Sequence, residues 1–168
     1  MKWVLPVIAM LMLPACMGGG GTSVSATPPP LPPTQPVSAG FGTILNQARS
    51  DHGAGALTQD PRLMLAAQNH SNDQYMMGKM THEGSDGSKL RDRLGRVNYP
   101  FTLAAENVAR GQQSEQQVFD DWMDSTGHRR NNLNPLFEDY GIAKAGSGSN
   151  RYWTLVFGRT SPVPPGTF

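Results

Sequence analysis

Apolar residues recur at helical spacing in the first two thirds of the chain beyond residue 40. The pattern predicts an amphipathic helix over residues 44–52 and a second one over residues 61–77. Asp60 supplies a capping side chain for the second helix, and Pro61 suits its first turn. His70 falls on the apolar face of that helix, so we expect a buried, hydrogen-bonded histidine rather than a ligand.

Two more helices are expected in the middle of the chain. Residues 90–97 predict a short helix with Arg91, Arg93 and Arg96 facing outward. Residues 114–126 predict a longer one. Its apolar arc consists of Val118, Phe119, Trp122 and Met123.

The last third of the chain changes to a period of two. Residues 140–143 and 152–157 alternate in the manner of strands, and the Gly/Ser/Asn-rich residues 146–150 between them favour a β-hairpin. Residues 103–109 offer a third strand. Helices followed by strands predict an α+β fold, with helices packed on a small antiparallel sheet of about three strands.

The first forty residues are of a different kind, because Lys2 carries their only charge. Lys2 and the short apolar run after it predict a secretory signal peptide over residues 1–15, too short to span a membrane. The sequence Leu-Pro-Ala-Cys that ends at Cys16 resembles the bacterial lipoprotein box, in which the cysteine sulfur is lipidated. Ordinary cleavage after Ala15, leaving a free thiol, is the alternative. The composition of residues 16–40 then predicts the lipidated cysteine followed by a disordered Gly/Pro-rich tether.

Composition excludes several classes of function. The formal net charge is +1, so no basic excess supports nucleic-acid binding. A single cysteine excludes an intramolecular disulfide and a multi-cysteine zinc site. The chain also lacks the HExxH, GxSxG and P-loop motifs.

Six short segments, taken together and in order, resemble the CAP superfamily of cysteine-rich secretory and pathogenesis-related proteins, in its compact bacterial branch. The resemblance covers residues 41–158. The segments are LNQAR with DPRL after it, AQNHS, TH at residues 81–82, AENVA at residues 105–109, WMDSTGHR at residues 122–129, and YWT. It implies a CAP domain over residues 41–160 with an α-β-α sandwich, followed by a Pro-rich tail over residues 161–168.

The resemblance also implies a cleft lined by His82, Glu106 and His128. Relatives carry a fourth acidic residue where this chain has Ser125, so we expect a hydroxyl there. His82, His128 and Glu106 are the expected ligands of a divalent metal, zinc by preference. The alternative is that Glu106 only holds its loop through hydrogen bonds.

Three functions remain open at this point. The favoured one is a non-enzymatic, lipid-anchored envelope protein whose cleft binds a lipid or cell-wall ligand. The others are a metal-assisted hydrolase of peptide or wall polymer, and a structural or adhesion module. We expect a monomer in the cell envelope, attached to the membrane through Cys16. It would be periplasmic or at the outer membrane in a Gram-negative cell, and extracellular otherwise.

Overall fold

The computed structural model describes residues 34–35 and 39–166. The predicted signal peptide, Cys16 and most of the predicted tether lie outside these residues. The elements in chain order are β1 (Thr34–Gln35), α1 (Ala39–Asp51), β2 (Thr58–Gln59), α2 (Pro61–Met77), α3 (Leu90–Arg96), β3 (Leu103–Arg110), α4 (Glu115–Asp124), α5 (Thr126–Leu133), β4 (Asp139–Ala145) and β5 (Tyr152–Arg159).

The sheet is built on three long antiparallel strands, as predicted, in the order β4-β5-β3. The predicted count of about three is wrong by two short strands. Both pair with the other edge of β4: β1 is antiparallel, with Gln35 opposite Lys144, and β2 is parallel, with Gln59 opposite Tyr140. Within the described residues, the sheet is therefore mixed and has five strands.

β1 lies inside the segment predicted to be a tether, and α1 begins at Ala39, two residues before the predicted domain boundary. Most of residues 16–40 lie outside the described residues, so the disordered tether stays a prediction. The sequence does not indicate β1, because pairing with β4 uses backbone N–H and C=O groups, which the side-chain pattern of a polar segment does not reveal.

Helices cover both faces of the sheet, so the α-β-α sandwich is confirmed. One face packs against α1 and α4, and the other packs against α2 and α3. β5 lies between the two layers, and every residue from Tyr152 to Gly158 is buried. Alternate residues of this strand serve opposite cores: Leu155 and Phe157 belong to the first, and Val156 belongs to the second.

Two helix ends decide where site residues lie. Asp60 caps α2 as predicted, because its Oδ1 accepts a hydrogen bond from the backbone N–H of Arg62 at 2.7 Å. The helix predicted over residues 114–126 is broken at Ser125, whose backbone is extended with ψ 120°. A second helix, α5, begins at Thr126 and carries His128.

In the part of the chain that the structure describes, no helix combines the length and the apolar character needed to cross a bilayer. The start of the Pro-rich tail is attached to the domain. The hydroxyl of Thr102 donates to the carbonyl of Ser161 at 2.6 Å, and Arg159 Nε donates to the same carbonyl at 3.1 Å.

Candidate functional site

The Glu106-Asn107 pair lies in β3, the strand at one edge of the sheet. Because neighbouring residues of a strand point to opposite faces, the two side chains enter different layers. Glu106 meets α3 and the loop before it, whereas Asn107 meets α5. One dipeptide therefore organises both sides of the site.

The Glu106 carboxylate is buried, with 3% of its side chain exposed, and both oxygens accept hydrogen bonds. His82 Nδ1 lies 2.8 Å from Oε1, and Arg93 Nη2 lies 2.6 Å from Oε2. His70 Nε2 is farther away, at 3.8 Å from Oε1. A buried carboxylate of this kind is stable because a cation neutralises it and donors occupy its lone pairs.

His82 is the exposed member of this network, with 61% of its side chain accessible. Since Nδ1–H donates to Glu106, the lone pair of the neutral ring is on Nε2, which is free to accept a proton or to bind a cation. The hydrogen bond to Glu106 raises the pKa of His82 above its ordinary value, against the opposing effect of partial burial.

Arg93 is the residue that the sequence analysis placed wrongly. It was expected to face outward, but it is buried, with 6% exposed. Its Nη1 also donates to the carbonyls of His82 and Ser88, each at 3.1 Å, so it fixes the loop that presents His82. The spacing of the apolar residues along α3 indicates this burial. Leu90, Leu94 and Val97 mark the apolar face of α3, and position 93 lies on it.

Asn107 is fully buried and joins β3 to α5. Its Nδ2 donates to Asn132 Oδ1 at 2.9 Å and to the carbonyl of His128 at 3.2 Å, and its Oδ1 accepts from Asn131 Nδ2 at 2.8 Å. These bonds set the position of the helix that carries His128. Sequence reasoning identified Asn107 as part of a motif but not as this anchor.

His128, carried by α5, is half-buried. Burial is the first cause that lowers the pKa of His128 below its ordinary value, and the charge on His82 is the second. Ser125 lies three residues earlier, at the junction of α4 and α5, and is also half-buried. Its side chain makes no capping hydrogen bond to α5.

His70 has the structural role that was predicted for it. Its side chain is inaccessible, and Nε2 lies 2.8 Å from the carbonyl of Thr81. A carbonyl oxygen only accepts, so Nε2 carries the proton. Burial lowers the pKa of His70 below its ordinary value, which keeps the ring neutral.

The predicted metal ligands His82, His128 and Glu106 differ in the atoms that they leave available. Among residues 34–35 and 39–166, no group of three His, Cys, Asp or Glu side chains could hold a metal ion. Glu106 does not fit the role of a ligand, since Arg93 and His82 occupy both of its oxygens. The imidazole of His82 is the more suitable donor, because its side chain is exposed and Glu106 uses only Nδ1. Metal binding by all three residues remains a prediction.

Comparisons with known proteins agree with the resemblance noted in the sequence. The model of the CAP family, described as the cysteine-rich secretory protein family, matches residues 43–157. The uncharacterized protein YkwD of Bacillus subtilis is 32% identical over 114 residues, covering 68% of this chain and 44% of YkwD. The uncharacterized membrane protein YlbC of the same organism is 28% identical over 114 residues and is covered to 32%. The chain therefore spans less than half the length of these relatives.

Two solved structures have the same fold. An extracellular protein of Bacillus anthracis that contains an SCP domain superposes with a TM-score of 0.65 at 29% identity, over 71% of this chain and 39% of that one. An outer surface protein of Borrelia burgdorferi superposes with a TM-score of 0.67 at 19% identity, over 72% of this chain and 90% of that one. The second likeness concerns the fold alone.

The family match covers more than half of the chain, and the fold and the Glu106-Asn107 motif agree with it. The chain belongs to the CAP family of cysteine-rich secretory proteins.

Proposed function

We propose that this CAP domain is a non-enzymatic binding module of the cell envelope, which recognises a polar wall component at the cleft of His82, Ser125 and His128. A wall component is favoured over a lipid because the side chains that the resemblance assigns to the cleft are imidazoles and a hydroxyl, all at least partly accessible. The extracellular character of the Bacillus anthracis relative supports a location outside the cytoplasm.

The state of Glu106 is the observation that weighs most against the hydrolase alternative in which this carboxylate acts as the base. A hydrolase needs a base that can take a proton from water within hydrogen-bond reach. Both oxygens of Glu106 already accept from Arg93 and His82, and the carboxylate is buried. Water would have to displace one of these donors before Glu106 could act on it. Glu106 is therefore better suited to holding His82 in place than to catalysis.

A divalent metal at the cleft is a further part of the proposal. His82 and His128 would hold it, and Glu106 would orient His82 through Nδ1, as carboxylates commonly do for metal-bound histidines. Such an ion would add a positive charge to which an anionic group of the ligand could bind. Two protein ligands are fewer than the three of a catalytic zinc site, so this arrangement also favours binding over hydrolysis.

We further propose that Cys16 is lipidated and anchors the domain to a membrane. Support comes from the lipoprotein box before Cys16 and from the apolar run before the box. Acyl chains contribute about 0.8 kcal/mol per buried methylene, and stable anchoring takes more than one chain.

Cosedimentation of the purified full-length protein with isolated cell-wall sacculi tests the proposal. Wild-type protein is expected to cosediment without releasing soluble wall fragments, and His82→Ala and His128→Ala are expected to reduce binding. Gln116→Ala, on the exposed face of α4, is the matched control and should bind as wild type does. Release of wall fragments that depends on Glu106 would establish the hydrolase instead. Equal binding by all variants would indicate a module that uses another surface.

A further inference from the structure

The end of the sheet at which the chain turns from β4 into β5 is called the hairpin end here. Ala145 of β4 and Arg110 of β3 lie on either side of Tyr152, the first residue of β5. A depression at this end is lined by the last turn of α2 together with the hairpin: Tyr75, Met76, Gly78, Asn150 and Tyr152. The hairpin end therefore combines the ends of β3, β4 and α2 with the start of β5.

The segments that form the hairpin end carry basic residues and no acidic ones. Residues 74–82, 107–114 and 144–153 contain no Asp or Glu, and their basic residues are Lys79, Arg110, Lys144 and Arg151. Glu83, the next acidic residue after Lys79, is already paired with Lys89 at 2.7 Å. The whole chain has 14 basic and 13 acidic residues, so a nearly neutral protein concentrates positive charge at one end of its sheet.

Neutral groups hold two of these basic side chains in place. Arg110 Nη2 donates to Asn150 Oδ1 at 2.7 Å, and its guanidinium lies 5.1 Å from the centre of the Tyr152 ring. Lys144 Nζ lies 5.1 Å from the centre of a Trp153 ring. These partners orient the side chains without cancelling their charge, so the charge stays available to an anionic surface.

Exposed apolar side chains accompany the basic residues. Met76 and Met80 are 49% and 48% exposed, and Met76 lies in the depression beside Tyr152. A protein surface that binds a bilayer combines basic groups for anionic headgroups with apolar side chains that enter the headgroup region. The hairpin end has both kinds of side chain.

The path of the chain brings the proposed lipid anchor to this end. β1 is antiparallel to β4 and begins with Thr34 opposite Ala145, so the segment that leads from Cys16 joins the domain at the hairpin end. Residues 17–33 connect the two, and even a fully extended chain of this length spans at most about 60 Å. An anchored domain is thereby confined near the membrane, with its basic end as the point of attachment.

We propose that the hairpin end is a membrane-docking surface that lies on anionic phospholipid headgroups, with Lys79, Arg110, Lys144 and Arg151 contacting the headgroups and Met76 inserted beside them. The orientation of the domain rests on the lipid anchor proposed above. The affinity for anionic lipid does not, because it needs only groups of the folded domain. The acyl chains would attach the protein, and the basic end would fix which side faces the membrane.

Vesicle cosedimentation tests the charge contacts. The protein used is residues 16–168 with Cys16→Ala, which contains every described residue and carries no lipid. We expect binding to vesicles of phosphatidylglycerol and phosphatidylcholine in equal parts, and none to phosphatidylcholine alone. Lys79→Gln combined with Arg110→Gln should weaken binding about 30-fold, since each basic residue near an anionic surface contributes about fivefold.

The matched control combines Arg91→Gln with Arg130→Gln, which removes the same charge from exposed positions of α3 and α5. The control should bind nearly as well as the unsubstituted chain. Equal losses in the two double variants would overturn the proposal, as would the absence of binding to anionic vesicles. Binding of soluble polyphosphate without binding of vesicles would also overturn it, in favour of a site for a soluble polyanion.

Tryptophan fluorescence tests the apolar contact. The emission of Met76→Trp should shift to shorter wavelength on anionic vesicles. Leu65→Trp replaces a side chain of similar exposure, 52%, near the other end of α2, and its emission should not shift. A shift in Leu65→Trp but not in Met76→Trp would place the membrane on another surface. The anchor is tested separately by fractionation of cells that carry Cys16→Ala, so it can stand even where docking fails.

Discussion

Arg93 and Glu106 form an ion pair with almost no access to solvent. Nη2 lies 2.6 Å from Oε2, and 7% and 3% of the two side chains are exposed. The pair links α3 to β3, the edge strand. Because Arg93 also donates to the carbonyl of His82, it helps to position both residues that donate to the Glu106 oxygens. Its burial makes it sensitive to the loss of either partner.

Arg93→Met is expected to lower the free energy of unfolding by about 3–5 kcal/mol, because it leaves the Glu106 carboxylate buried without its cation. Urea denaturation followed by circular dichroism measures the change. Arg96→Met is the control on the same helix. Its ion pair with Asp86 is exposed, so stability should change little. Equal losses in the two variants would show that the burial of Arg93 has no special energetic weight.

His70, His82 and His128 should titrate in a defined order. NMR titration is expected to give His82 a midpoint above the ordinary value of 6.5, and to give His70 and His128 midpoints below it. Glu106→Gln should lower the midpoint of His82, because the hydrogen bond to the carboxylate is the main cause of its raised pKa. An unchanged His82 midpoint in Glu106→Gln would mean that another group raises the pKa of His82.

The same pKa shifts affect stability in opposite directions. Folded His82 holds its proton more tightly than the unfolded chain does. The contribution of His82 to the free energy of unfolding is therefore complete below about pH 6.5 and is lost as pH rises through the folded pKa. The contribution of neutral His70 is present above 6.5 and is lost as pH falls. His82→Gln should therefore remove part of the decline in stability above pH 6.5. An unchanged pH profile in this variant would contradict the assignment.

Zinc titrations can separate ligands from supporting residues. Zinc binding should be abolished by His82→Ala or by His128→Ala. With Glu106→Gln it should be weakened only about 10–100-fold, the usual effect of losing a group that orients a ligand. Calorimetry of the four proteins measures this. Complete loss with Glu106→Gln would make Glu106 a direct ligand, and equal heats in all four would remove the metal proposal.

Asn107→Leu is expected to destabilise the domain by about 2–4 kcal/mol, because Asn131 and Asn132 lose their partner in a buried network. Hydrogen exchange should show the loss concentrated in α5. Asn131→Ala removes only one of these bonds and serves as the milder comparison. A uniform loss of protection across the sheet would argue against a local anchor.

Cys16→Ala is expected to release the protein from membranes, because the proposed acyl chains would have no attachment site. Fractionation of cells into membrane and soluble material, followed by mass spectrometry of the mature N-terminus, measures this. Wild-type protein that begins after Ala15 with an unmodified thiol would contradict the lipid anchor.

The parts of the fold that depend on local pattern could be predicted from the sequence. The cap at Asp60 and the alternation along β5 are properties of neighbouring residues, and both are confirmed. The apolar spacing of α3 indicates that Arg93 is buried, but its partner Glu106 is on another element, and no local rule predicts that pairing. The pairing of Thr34 with Ala145 was missed for a related reason, since Ala145 is far away in the sequence and on another element.

The cleft was predicted from family resemblance rather than from spacing. His82 and Glu106 are 24 positions apart, and nothing between them indicates contact; the structure places them 2.8 Å apart. The role of Asn107 depends on three partners in α5 and could not be inferred before that helix was positioned.

The placement of Glu106 and Asn107 on opposite faces also makes the site sensitive to strand alignment. In the native register, Glu106 lies opposite Val156 and Asn107 lies opposite Leu155. A slip of one residue would exchange the two faces, so the carboxylate would point toward α5 and the carboxamide toward Arg93. An insertion or deletion of one residue in β3 before Glu106 should therefore break the contacts of Glu106 with Arg93 and His82, even if the sheet still forms. Of these two alignments of the edge strand, only the native one pairs the Glu106 carboxylate with Arg93 and the Asn107 carboxamide with α5.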